Sequence, residues 1–183
     1  MVERGLFTEA EPLIMAAQAA CPESEGNILT LATVLFNLAG VRFECNRIKE
    51  TVELCIRVLE IRKRVLDPMD PLLGNTFYSA GIAYMEAGNL EEALECSLRA
   101  VEIHETCQKR QIHDGSPTAL SYLDLGLSYW KRGEIDAASS FIEMGLDLFE
   151  ETTGVGSQKY GQYVILFTPF SIYNILSYST DLF

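Results

Sequence analysis

The chain repeats itself. The segment Phe77-Tyr78-Ser79-Ala80-Gly81-Ile82-Ala83-Tyr84, followed by Gly88-Asn89-Leu90-Glu91-Glu92-Ala93, aligns without gaps on Tyr122-Leu123-Asp124-Leu125-Gly126-Leu127-Ser128-Tyr129 and Gly133-Glu134-Ile135-Asp136-Ala137-Ala138. From Gly81 to Gly126 the offset is 45 residues. A weaker copy around Leu35-Phe36-Asn37-Leu38-Ala39 sets Ala39 against Gly81, an offset of 42 residues. Gly5-Leu6-Phe7-Thr8-Glu9-Ala10 matches Gly88 to Ala93, so the sequence is expected to open part-way through a unit. A period of this length describes small units that cannot each enclose a core and must stack on their neighbours.

Within a unit the spacing is helical. Phe77, Ala80, Gly81 and Tyr84 share one face at i, i+3, i+4 and i+7, and Leu90, Ala93, Leu94, Ser97, Leu98 and Val101 do the same in the following segment. A glycine inside a helix costs about 1 kcal/mol, so Gly81, Gly126 and Gly145 point to close approach of two backbones. Asn89 with Glu92 and Thr8 with Glu11 form capping boxes, and Asp70-Pro71 and Ser116-Pro117 read as a cap followed by proline in the first turn. Helices are expected near 8–20, 27–44, 47–65, 71–87, 90–110, 117–131 and 135–151. No stretch alternates with period two, so the fold class is all-α, a solenoid of antiparallel helix pairs. Its boundaries are a partial repeat at 1–24, repeats near 27–68, 71–113 and 116–155, and a tail at 156–183.

Charge and chemistry narrow the function. Fourteen Lys and Arg against 26 Asp and Glu give a net charge of -12, which disfavours nucleic acid. The basic cluster Arg57, Arg62, Lys63 and Arg64 reads as a solvated helix C-terminus favoured by the dipole, with a small docking patch as the alternative. Five cysteines at wide spacings include no Cys-x-x-Cys, and the N-terminus lacks an apolar signal core, so reduced thiols in the cytoplasm are expected. His104 and Cys107 share a helical face, yet too few further ligands surround them for a metal site, and both histidines read as surface or helix-end residues. No phosphate-cradling Gly-x4-Gly-Lys motif and no nucleophile with a base is present. Neither a catalytic residue nor a cofactor is therefore expected, and the chain is not read as an enzyme.

The pattern resembles the tetratricopeptide repeat, as Phe77-x2-Ala80-Gly81-x2-Tyr84 with Ala93, Ser97 and Ala100, and again as Tyr122-x2-Leu125-Gly126-x2-Tyr129 with Ala138, Ile142 and Gly145. The copy at 35–58 departs from it, with Arg42 in place of the tyrosine and Thr51 in place of the alanine. The 42–45-residue period and the phrase Glu9-Ala10-Glu11-Pro12-Leu13 are similar to the kinesin-light-chain-type subfamily. The resemblance implies a non-catalytic protein-interaction module or adaptor that binds a peptide or partner helix on the surface made by the first helix of each pair. The residues expected to line that surface are Thr33, Phe36, Asn37 and Phe43, then Asn75, Tyr78, Ile82 and Met85, then Leu123, Asp124, Leu127 and Trp130. The competing reading is that these side chains pack between neighbouring helices. Capture of a chaperone C-terminal carboxylate is not expected, because Tyr78, Ser79, Leu123 and Asp124 stand where cations would be needed and only Lys131 is near. Similar repeats also follow nucleotide-binding switch domains, so a regulatory fragment of a larger switch ATPase is the alternative.

Two ends remain. The opening half-unit leaves an uncovered face that offers self-association. Tyr160 to Thr180 is 21 residues without a charge, long enough for a bilayer of about 30 Å, but Pro169, Asn174, Gln162 and Gly161 weaken insertion. A capping helix, a membrane anchor and a loosely ordered end are the three readings of this tail, with the membrane disfavoured.

Overall fold

The computed structural model describes Pro12, Met15, Ala16 and residues 27–153. Six helices follow one another: α1 Ile28–Glu44, α2 Ile48–Val65, α3 Pro71–Ala87, α4 Leu90–Lys109, α5 Ser116–Lys131 and α6 Ile135–Thr153. There is no strand among the described residues, and the fold is an all-α helical-repeat solenoid. Pro12, Met15 and Ala16 are helical and exposed; the remainder of the helix expected at 8–20, and the tail from 156 onward, lie outside the described residues.

The repeat offsets reappear as hydrogen bonds. At the end of α3, Gly88 takes a left-handed φ of 83°, its N–H donates to Met85 O at 3.1 Å, and the Asn89 N–H donates to Tyr84 O at 2.9 Å. Forty-five residues on, Gly133 at φ 82° donates to Trp130 O at 2.9 Å, and the Glu134 N–H donates to Tyr129 O at 3.0 Å. Forty-two residues earlier, Asn46 at φ 61° donates to Phe43 O and Arg47 to Arg42 O, each at 2.8 Å. All three satisfy the orphan carbonyls of a first helix with the same left-handed turn. The α4 end repeats the device with Gln111 at φ 58°. Start signals divide. Asp70 caps α3 as expected, its carboxylate accepting from the Leu72 N–H at 2.8 Å. At α5 the cap lies one residue earlier than expected: Gly115 is the N-cap, Ser116 is already helical, and the Asp114 carboxylate accepts from the Ser116 N–H at 2.9 Å.

The chain divides into two compact units, Met1–Ile103 and His104–Phe183, with the division inside α4. In the first, α1 packs on α2 and α2 on α3. Its core gathers Leu31, Ala32, Leu35, Val58 and Ile61, with Ile28, Phe36 and Leu54 against them. Arg62, expected to be solvated, is only 2% exposed. Its guanidinium donates to Leu72 O at 2.8 Å and Thr76 Oγ1 at 2.6 Å, and stacks 4.9 Å from the Phe36 ring centroid. One buried cation thus ties α2 to α1 and α3, and burial depresses its pKa while Asp70 partly offsets that. Arg57, Lys63 and Arg64 do remain exposed.

In the second unit α5 packs on α6 through two glycines. A Cβ on Gly126 would lie 2.6 Å from Ile142 Cγ1 and 3.1 Å from Ala138 O; one on Gly145 would lie 2.8 Å from Leu123 Cγ and 3.0 Å from Ala119 O. Each helix uses its glycine to admit a residue of the other. His104 is 2% exposed rather than superficial. Its Nδ1 lies 2.7 Å from Ser121 Oγ, and its ring meets His113 edge-on at 5.8 Å. Burial, with His113 beside it, drops its pKa to about 4, so the ring is neutral at physiological pH.

Candidate functional site

The first unit holds a cavity of about 560 Å³. Phe36, Asn37, Gly40, Phe43 and Glu44 of α1 form one wall, Thr51 and Cys55 of α2 the floor, and Ser79 and Ile82 of α3 the far wall. The helical period explains the α1 wall: residues 36, 40, 43 and 44 recur on one face, while Leu31, Leu35 and Leu38 take the buried one, with Ala39 at the cavity's edge between them. The Arg62 stack fixes the Phe36 ring from behind. At Gly40 an added Cβ would meet nothing within 4 Å, so the absent side chain leaves open volume. Thr51 turns its hydroxyl inward to Arg47 O at 3.1 Å. Cys55 is 1% exposed, and burial raises its thiol to about 11, which leaves it a small apolar surface and not a nucleophile.

Four of the side chains expected from sequence meet at this cavity: Phe36, Asn37, Phe43 and Ile82. Asn75 is exposed and Tyr78 half-buried on α3, neither lining the cavity, and Thr33 on α1 is exposed with its hydroxyl donating to Leu29 O. Met85 is buried at 5% exposure, and in the second unit Leu123 and Asp124 are buried at 1% and 4%. For Leu123 the reason is Gly145, which lets α6 close over it. These three side chains are buried and are not open to a partner. Leu127 and Trp130 are half-buried. Gly40, Glu44 and Cys55 were not expected from sequence to line a binding surface, and Ser79 was considered only as a position lacking a cation. The signal at Gly40 is its place between Phe36 and Phe43 on one face, where a glycine leaves a gap instead of seating a neighbouring helix.

Other chemistry is sparse. Among the described residues no three His, Cys, Asp or Glu side chains gather as metal ligands, and no helix is long and apolar enough to cross a membrane. Tyr122 donates to Glu105 at 2.7 Å, which, with burial, raises the phenol to about 12. This pair joins α4 to α5 and is structural.

The tetratricopeptide repeat family model matches residues 30–106. No curated protein matches the chain. Among solved structures, BtubC (BKLC) from P. vanneervenii is 18% identical with a TM-score of 0.75, over 89% of this chain and 64% of that one. A putative kinesin light chain from Podosopora anserina with nearly identical repeats is 22% identical with a TM-score of 0.68, over 86% of this chain and 74% of that one. The apo form of RapI is 18% identical with a TM-score of 0.73, over 96% of this chain and 48% of that one. The chain thus spans less than two thirds of the first and third of these. Residues 30–106 thus match the tetratricopeptide repeat, and the chain shares with these structures a fold of stacked helix pairs, whose left-handed closures recur here at 42- and 45-residue offsets.

Proposed function

We propose that the first unit is a protein-interaction module that takes a bulky apolar side chain of a peptide or partner helix into the α1–α3 cavity. The observation that carries this reading is the cavity itself. Its 560 Å³ falls within the range of specific sites, and Phe36, Phe43 and Ile82 give it apolar walls from two successive first helices. An anchor buried there would be desolvated on several sides, the condition for a binding hot spot. Asn37 and Ser79 supply neutral hydrogen-bonding groups at its walls for the partner's backbone.

The test is to plug the cavity without disturbing the fold. Gly40 is itself exposed, between buried Ala39 and Val41, and Gly40→Leu adds a side chain into open space. Peptides recovered by the full chain from a random displayed library should lose at least about tenfold in affinity for this variant, a typical effect at a hot spot. Peptides that bind wild type and Gly40→Leu equally would place recognition elsewhere.

A further inference from the structure

We propose that the segment accepted by this groove is cationic beside its apolar anchor: a peptide or helix carrying a Lys or Arg within about one helical turn of the buried side chain. The inference rests on the groove reading above and adds the charge of its partner. Among the described residues, Glu44 is the one charged residue lining the cavity. It is the last residue of α1, where the helix dipole is negative and disfavours a carboxylate. It is exposed, and no cation among the described residues pairs with it. The neighbouring cations are already committed: Arg42 and Arg47 both turn to Glu50, at 3.4 Å and 2.6 Å. Arg62, behind Phe36, is buried and donates to α3. A partner's carboxylate would therefore find no cation among the described residues lining the cavity, whereas a partner's ammonium or guanidinium would find Glu44 beside the dipole's negative end. The net charge of -12 steers in the same direction, raising the encounter rate of cationic partners.

The experiment uses the full chain as bait for a random displayed peptide library at physiological salt, with counter-selection on Gly40→Leu. Recovered sequences are resynthesised and titrated. The expected result is Lys or Arg enriched within four positions of an aromatic or aliphatic anchor. Glu44→Gln should then weaken binding about three- to tenfold and Glu44→Lys more, the loss shrinking at high salt. Gly40→Leu-sensitive peptides with no charge bias, with acidic flanks, or with affinity unchanged by Glu44→Lys would overturn the cationic partner and leave the groove standing. Failure to recover any Gly40→Leu-sensitive peptide would remove the groove and this inference together.

Discussion

The helix pairs α1–α2 and α5–α6 descend from one repeat pattern and treat their small residues in opposite ways. In α5–α6, Gly126 and Gly145 sit where any Cβ would strike the partner helix, so the pair closes on itself. In α1, Ala39 holds the position of Gly126 and is buried, while Gly40, the next residue, faces the cavity with nothing near it. The same residue type thus shuts one pair and opens the other. Sequence position within the repeat does not reveal which; the neighbour facing the missing side chain does.

The sharpest way to break this contrast is a larger residue at the closed site. Gly126→Val places branched carbon against the carbonyl of Ala138 and the backbone nitrogen of Ile142, at 3.1 Å and 3.2 Å from the first added atom alone. Backbone cannot swing aside as a flexible side chain can, so a loss of about 3 kcal/mol or more is expected. Trp130, the single tryptophan, lies on α5 and makes the loss readable by fluorescence during urea unfolding. An unchanged midpoint would show that the pair is not closed through this contact.

The two units also differ in the polar group each buries. Arg62 in the first donates both to a carbonyl and a hydroxyl. His104 in the second is kept neutral, with a folded pKa of about 4 against 6.5 when exposed. Between those values the unfolded chain binds the proton more strongly, so stability is unaffected above pH 6.5 and falls as pH drops from 6.5 toward 4. The shift corresponds to about 3 kcal/mol at the acid limit. His113, its pKa also lowered by burial, adds loss of the same sign. Hydrogen exchange should show α5 and α6 opening in mild acid before α1 and α2, and His104→Gln should flatten the dependence. Equal acid sensitivity in both units would erase this difference between them.

Much of the scaffold was legible because it depends on local chemistry. The ends of the six described helices fell within one or two residues of expectation; Gly88 and Gly133 align at the repeat offset, though their left-handed closures were not read from it, and the close approach at Gly126 followed from a glycine that a helix would otherwise avoid. Arg62 and His104 were misread as superficial because their hydrogen-bond partners are distant: Thr76 is fourteen residues from Arg62, and Ser121 seventeen from His104. The site was half legible. Phe36, Phe43 and Ile82 are visible as an apolar stripe, but the stripe does not say where packing stops, and Leu123 shares its pattern while lying buried against Gly145. A cavity is made by what is missing, and sequence records Gly40 without recording the space beside it.

That space yields a smaller effect of the opposite sign from Gly126. Gly40→Ala adds a methyl that meets nothing within 4 Å and removes the entropic weakness of a glycine in a helix. A gain of about 0.5–1 kcal/mol is expected. The opposite signs at Gly40 and Gly126 are the contrast in its cleanest form, and a loss at Gly40 in thermal unfolding would mean that α1 is as tightly seated as α5.

The smallest effects concern the turns, where the two units are alike. Each has one closure made by glycine, Gly88 and Gly133, and one made by a residue with a Cβ in the left-handed region, Asn46 and Gln111. Asparagine tolerates that region because its side chain mimics local backbone bonding, whereas glutamine lacks this relief. Gln111→Gly should therefore gain about 0.5–1 kcal/mol and Asn46→Gly only about a few tenths, since both positions are exposed and neither loses packing. Denaturant midpoints for the two variants decide the order. If Asn46→Gly gained more, strain in the degenerate first repeat would exceed that at the α4 corner, and the first unit would be the looser of the two in its turns as well as in its cavity.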